Sequence, residues 1–434
     1  VLPVSIVTVS LAVLALLIVL LFSSVWVGMA LILVGIIGVM LFTGVEPFSI
    51  LNNILWSNSN SSTMLALPLF VMMGEVLFRS RISENLFKGL APLMSHLPGR
   101  LIHTNIVASS LFAAVCGSSA ATTMTVGKIT MPELQKRGYS EALSMGTLAG
   151  AGTLGFLIPP STMMLVYGML ANVSVGKLFI GGLIPALIIA CGLMGYVMIR
   201  CIIDPSLAPQ GETFSRKDMA QALPMILPVV VLIIVVLGSI YAGWATPTEA
   251  AAVGVFGSLV FAMATRSLSW EHFLEAMKGT VKTSSMILLI VTGAAYLSVA
   301  IGYLNIPASL TRLIVELGVG KYQLIVILSV MYLILGCMLE GFSMIVMTLP
   351  LALPLIVAAG FDPLWFGIYL VIMIELAQLT PPVGFNLFVI SGLTGKDVLT
   401  IAKYAIPSFL ILSAAVAIIT AFPALVLYFP NLMI

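Results

Sequence analysis

Two pairs of segments place oxygen-bearing side chains beside helix-breaking prolines in otherwise apolar surroundings. The first pair is Cys116-Gly117-Ser118-Ser119-Ala120-Ala121-Thr122-Thr123 and Gly152-Thr153-Leu154-Gly155-Phe156-Leu157-Ile158-Pro159-Pro160-Ser161-Thr162. The second is Gly336-Cys337-Met338-Leu339-Glu340-Gly341-Phe342-Ser343 and Gln378-Leu379-Thr380-Pro381-Pro382-Val383-Gly384-Phe385-Asn386. A double proline removes two backbone donors and stops the helix behind it. The freed carbonyls and neighbouring hydroxyls are oxygen ligands of the kind a hard cation takes, and a helix N-terminus at the same place suits a carboxylate. Small and hydroxyl residues also serve close helix packing, so either glycine-rich run alone would be weak. Its coincidence with a double-proline break favours a ligand site.

Glu340 is an ionisable group expected at membrane depth, where charge is costly and usually functional. Glu75 and Glu375 are expected to be structural or supporting. Ser161, Thr162 and Asn386 follow the breaks, where half-helices diverge, and are candidate substrate contacts. Thr246-Pro247-Thr248-Glu249 is expected to be a capping box with proline at the first helical position.

The elements that position these residues must cross a bilayer. The chain has 434 residues, 61% hydrophobic and 8% charged, with a mean hydropathy of +1.20. Soluble domains carry about 25% charged residues. The expectation is an all-α polytopic membrane protein with no soluble module. The first apolar run, 4–22, lacks a basic leader and a cleavage site, so a retained helix is expected there.

Two apolar runs, 101–134 and 321–359, are expected to be re-entrant hairpins, each followed by a broken span at 142–173 and 363–393. Fourteen of the 18 Lys and Arg then share one side, which the positive-inside rule makes cytoplasmic. Both termini fall in the periplasm. The chain divides into repeats at 1–203 and 222–434, joined by a cytoplasmic linker at 204–221. The double prolines lie 222 residues apart and Cys116 and Cys337 lie 221 apart. Each half makes an odd number of crossings, so the second repeat is inverted. Inverted repeats place a binding site near the midplane, between discontinuous helices.

Other chemistries are disfavoured. Net charge is +2, which implies no nucleic-acid partner, and the 3 histidines and 4 cysteines show no metal spacing. No Walker motif is present, so no nucleotide hydrolysis is expected. No nucleophile–base pair supports an intramembrane enzyme. That reading, a non-catalytic scaffold and a stand-alone Na⁺/anion symporter remain as alternatives.

Four motifs carry a resemblance over essentially the whole chain: Gly-Ser-Ser-Ala-Ala-Thr-Thr (117–123), Gly-x-Leu-Ile-Pro-Pro-Ser (155–161), Ala-Thr-Pro-Thr-Glu-Ala-Ala (245–251) and Leu-Thr-Pro-Pro-Val-Gly-x-Asn (379–386). Together they resemble the large membrane subunit of tripartite ATP-independent periplasmic (TRAP) transporters. The related divalent-anion/sodium symporters carry Ser-Asn-Thr at both tips, and neither tip here has Asn.

The resemblance implies a bacterial inner-membrane importer of organic acids, coupled to at least two Na⁺ ions and working by an elevator motion. It also implies a small four-helix membrane subunit and a soluble periplasmic binding protein as partners. One sodium site would use Ser118, Ser119, Thr153 and Gly155. The other would use Gly336, Gly341, Thr380, Pro381 and Val383. Substrate would meet Ser119, Thr122, Ser161, Thr162, Glu340, Ser343 and Asn386. The scarcity of basic residues tilts the expected cargo towards a monocarboxylated sugar acid such as sialic acid, over a C4-dicarboxylate.

Overall fold

The computed structural model describes residues 6–80, 82–209, 215–337, 339–382 and 384–433. Among these, all regular structure is helical. The first half runs α1 (Ile6–Phe22), α2 (Val27–Phe42), α3 (Pro47–Ser59), α4 (Ser62–Phe78), α5 (Ile82–Met94), α6 (Ile102–Cys116), α7 (Ser119–Lys136), α8 (Glu141–Leu157), α9 (Thr162–Ala171) and α10 (Val175–Ile203). The second runs α11 (Arg216–Tyr241), α12 (Pro247–Ala264), α13 (Trp270–Tyr303), α14 (Ile306–Glu316), α15 (Lys321–Gly336), α16 (Gly341–Ala358), α17 (Pro363–Ala377), α18 (Phe385–Thr394), α19 (Val398–Ala421) and α20 (Ala424–Leu432).

Among the described residues, six helices (α10, α11, α12, α13, α16 and α19) are long and apolar enough to cross a membrane, and the bent pairs α3–α4 and α8–α9 raise the count to eight if each is one span. The order of elements matches between the halves. In each, a span precedes an amphipathic helix (α5, α14), a helical hairpin (α6–α7, α15–α16), a helix pair divided by Pro-Pro (α8–α9, α17–α18) and a closing span (α10, α19).

Local sequence explains most of the boundaries. Ser118, Ser140 and Ser161 each accept a backbone N–H from the first turn of the helix they cap, α7, α8 and α9 respectively. Such caps satisfy donors that the helix itself leaves unpaired. Thr246 and Glu249 form the expected reciprocal box at the start of α12.

Two boundaries depart from expectation. The segment after α2, which carries no assigned element in the sequence reading, folds as α3; Glu46 caps it and Pro47 occupies its first turn. The final apolar run, 403–429, is two helices, because Phe422 and Pro423 separate α19 from α20.

Packing groups the elements in two sets. Helix α4 lies against α12, and α2 against α13. Around α8 gather α6, α7 and α19, while α15 and α16 gather on α17. Contacts of α7 with α18, and of α9 with α16, cross between the halves.

From their places near the ends of the apolar runs, Trp56, Trp244, Trp270 and Trp365 are all expected at a membrane interface, where indole rings anchor. Trp56, Trp244 and Trp270 are exposed, and Trp365 is a correction. Instead Trp365 is fully buried, stacks on Phe361 and Tyr369, and donates from Nε1 to the Ile419 carbonyl at 2.9 Å. It locks α17 onto α19. Trp365→Ala should cost about 3–5 kcal/mol and lower the thermal midpoint of the purified protein in detergent. Trp244→Ala, at an exposed site, should leave that midpoint within error.

Candidate functional site

The first hairpin tip touches the first break directly. Gly117 ends α6 with φ +61°, in the left-handed region that glycine adopts without strain. A Cβ there would stand 2.6 Å from the Pro160 carbonyl oxygen. The Gly117 carbonyl accepts the Thr162 hydroxyl at 2.7 Å. Behind the tip, α7 presses on α8: a Cβ on Gly155 would lie 2.6 Å from both Ser118 O and Ser119 Cα. The break itself is the cis Pro159-Pro160 bond, and the Ser161 hydroxyl reaches back to the Phe156 carbonyl. Freed backbone groups are thus met by side chains and by the tip, as a low-dielectric surrounding requires.

The second tip meets the second break in a similar way. A Cβ on Gly336 would fall 2.0 Å from Ala377 Cβ, at the end of α17. One on Gly341 would fall 2.6 Å from Met163 Cε and 2.8 Å from Ile374 Cγ2. Cys337 Sγ lies 3.2 Å from the Pro381 carbonyl, and Pro381-Pro382 is again cis. The Thr380 hydroxyl returns to Ala377 O at 2.7 Å, while the Thr380 carbonyl accepts Gly384 N–H at 2.9 Å. This break is the more open one: Pro381 and Pro382 are exposed, whereas Pro159 and Pro160 are buried.

The halves join at Ser119. Its hydroxyl lies 3.0 Å from Gly152 O and 3.3 Å from Glu375 Oε2, and it accepts Asn386 Nδ2–H at 2.9 Å. Glu375 Oε1 accepts the Phe156 N–H at 3.0 Å. Ser119 and Asn386 are fully buried and Glu375 is 1% exposed. None of the described ion pairs includes Glu375.

A cavity of about 360 Å³ opens where the tips face α4 and α13. Its walls include Ser118 and Thr162 from the first tip and break, Phe342 beside the second tip, Phe385 from α18, and Thr283 from α13. Glu75 of α4 and Arg79, which caps that helix, also line it; Arg79 pairs with Glu75, and its Nε lies 3.5 Å from Glu275 Oε2.

The expected ion and substrate residues separate in this geometry. Ser118, Ser119 and Gly155 are brought together at the first tip; the Thr153 hydroxyl bonds Gly150 O at 2.7 Å, inside its own helix. Gly336, Gly341, Thr380 and Pro381 cluster at the second; Val383 lies outside the described residues. Of the expected substrate contacts, Thr162 lines the cavity. Ser119, Ser161, Thr122, Ser343 and Asn386 are buried.

Glu340, expected at membrane depth, stands at the second hairpin tip. It is exposed and caps α16, with Oε2 accepting Phe342 N–H at 3.1 Å. The carboxylate that is buried deep in the bundle is Glu375, which was expected only as a supporting residue. Its sequence signal was a single acid in the otherwise uncharged run Pro363–Ala377, eleven residues ahead of Asn386 across the break. Arg79 was counted among the cytoplasmic charges and not placed at the site.

Helical hairpins apposed to broken helices, around an oxygen-lined centre, define a polytopic transporter fold. The same fold is found in the crystal structure of the Alcanivorax borkumensis YdaH transporter, with a TM-score of 0.61 and 13% identity over 87% of this chain and 88% of that one. Residues 14–425 match the family described as "Tripartite ATP-independent periplasmic transporter, DctM component", and the chain belongs to that family. It is 32% identical to the C4-dicarboxylate TRAP transporter large permease protein DctM of Pseudomonas aeruginosa, over 87% of this chain and 88% of the relative. It is 28% identical to the sialic acid TRAP transporter large permease protein SiaM of Vibrio cholerae, over 96% and 97%.

The tight approach at Gly155 gives a direct test of the tip. Gly155→Ala must displace the Ser118–Ser119 backbone, and overpacking of this kind costs about 1–3 kcal/mol. Thermal unfolding should show that loss. Gly195→Ala, where an added Cβ meets nothing within 4 Å, should be neutral or slightly stabilising.

Proposed function

We propose that this chain is the large membrane subunit of a Na⁺-coupled importer of an organic acid in the bacterial inner membrane. A soluble periplasmic binding protein hands over the acid, and a small four-helix membrane subunit completes the complex. The observation that carries this reading is the contact of each hairpin tip with its own double-proline break, beside one cavity shared with α4 and α13. Two such centres suit two Na⁺ ions. Buried oxygens without hydrogen-bond partners at or near them, Thr122 Oγ1, Asn386 Oδ1 and Gln378 Oε1, fit a co-transported hard cation.

In the elevator reading, the hairpins and broken helices carry the site past a scaffold of α1, α2, α4 and α11–α13. The two halves are inverted, and both hairpins re-enter. Single cysteines at Lys217 and Arg312 should then label from opposite faces, Lys217 from the cytoplasm. Labelling of both from one face would refute the inversion.

The cavity wall bears on the cargo. Arg79 is its one basic residue, and Glu75 and Glu275 already hold its guanidinium. The wall thus pairs one cation, Arg79, with one carboxylate, Glu75, and has no second cation to clamp a dianion. The hydroxyls of Ser118, Thr162 and Thr283 suit a hydroxylated monocarboxylate. This favours a sugar acid such as sialic acid over a C4-dicarboxylate, the cargoes named for the two relatives.

Proteoliposomes containing both membrane subunits test the proposal. Uptake of labelled sialic acid should require an inward Na⁺ gradient and the added binding protein. Uptake without the binding protein would make the chain a stand-alone symporter. As the one basic group lining the cavity, Arg79 is proposed to meet the acid's carboxylate with the donors its acidic neighbours leave free; Arg79→Ala should then raise the half-saturating acid concentration about tenfold, as loss of a charge-assisted contact does. Uptake unaffected by Glu340→Ala would remove Glu340 from the substrate contacts.

A further inference from the structure

We infer that Glu375 is a positioning residue for the ion site at the first hairpin tip. The inference rests on the Na⁺-coupled reading above. Glu375 comes from the second half of the chain, yet both of its hydrogen-bond partners belong to the first. Oε1 takes the Phe156 N–H, three residues before the cis proline pair, and Oε2 meets the Ser119 hydroxyl in the first turn of α7. One carboxylate thereby spans α7, α8 and α17.

The donor count at Ser119 shows what this fixes. A serine hydroxyl has one proton to give and two lone pairs to receive with. Its proton lies between Gly152 O at 3.0 Å and Glu375 Oε2 at 3.3 Å, and Asn386 Nδ2–H fills one lone pair at 2.9 Å. One lone pair is left, and its direction is set by three neighbours rather than by free rotation about the Cα–Cβ and Cβ–O bonds. A cation ligated by Ser119 must use that lone pair. Glu375 and Asn386 therefore orient the ligand from the opposite half of the chain, and Glu375 also anchors the end of α8.

Charged groups on the elements packed against α17 do not substitute for this contact. Glu141, Lys177, Arg200, Lys321 and Lys403 are all partly or fully exposed, whereas Glu375 is 1% exposed. Lys128, Glu133 and Lys136 of α7 lie in its middle or last turns, at least nine residues from Ser119.

Outer contacts that orient a metal ligand typically change affinity about 10- to 100-fold when removed. Glu375→Ala should therefore raise the half-saturating Na⁺ concentration by about that factor, with a smaller change in maximal rate. Glu375→Gln keeps an acceptor for Phe156 N–H and a polar partner for Ser119, and should fall well short of the roughly tenfold loss that removing an outer contact brings. Asn386→Ala breaks the Ser119 contact from α18 and should also weaken Na⁺ dependence, which keeps the inference testable if Glu375→Ala fails to assemble.

Na⁺ titration of uptake, on variants that elute as assembled complexes, gives the readout. Glu375→Gln as impaired as Glu375→Ala would show that charge rather than hydrogen bonding matters, and would overturn the positioning role. So would unchanged Na⁺ dependence in Glu375→Ala or in Asn386→Ala. Parent uptake that ignores Na⁺ would instead sink the coupling reading itself.

Discussion

Everything at the centre of this protein follows from the cost of leaving backbone polar groups unpaired away from water. Each double proline frees carbonyls and removes donors within an apolar bundle. In hydrocarbon such groups cost several kcal/mol apiece unless protein, water or a ligand meets them. The fold answers by pressing a glycine-containing hairpin turn onto each break. Glycine is required at these contacts because a side chain at Gly117, Gly155 or Gly336 would collide with backbone or a neighbouring Cβ. Chain breakage and close approach are thus one design. The break exposes oxygens, and the tip approaches closely enough to share them.

The two centres differ in how completely the protein meets that cost. At the first, Pro159 and Pro160 are buried, Ser161 and Thr162 bond backbone carbonyls, and Glu375 takes a backbone donor. At the second, the prolines are exposed and a cysteine sulfur faces the Pro381 carbonyl. A thiol is a weak donor, so the second centre leaves more oxygen capacity open. Repetition of element order has not produced equal sites.

The sequence carried those features that depend on local chemistry. Pro-Pro within apolar runs, Gly at the tips and Ser or Thr before helices each act on their own backbone, and the helical hairpins, the breaks and the Thr246–Glu249 box appear where these residues predict them. Helix α3 is not legible in the sequence because Glu46 and Pro47 are a short start signal ahead of a polar stretch containing Asn52, Asn53 and Ser57. Which carboxylate the bundle covers is not a local property. Glu340 and Glu375 both sit in apolar surroundings in the sequence, and only packing decides which is covered. Helix α17 is wrapped by α8, α9, α10, α15, α16 and α19, so Glu375 and Trp365 are enclosed. Glu340 stands at a turn and remains accessible. Arg79 was likewise counted by its place in the chain, whereas its guanidinium reaches the cavity from the end of α4.

The Ser119 junction changes how the two repeats relate. Sites built wholly within each half could fill independently, and their coupling would have to travel through helix packing. Here one hydroxyl is held by Gly152 from its own half and by Glu375 and Asn386 from the other. Asn386 opens α18, directly after the second break, so any rearrangement there moves a donor on the first tip's hydroxyl. In the proposed Na⁺-coupled reading, occupancy at one centre would bias the geometry of the other, because both states compete for the same few hydrogen bonds. By linkage the bias acts equally in both directions. If the two centres bind the proposed ions, this shared contact gives a physical reason to fill them together and to move only when both are satisfied.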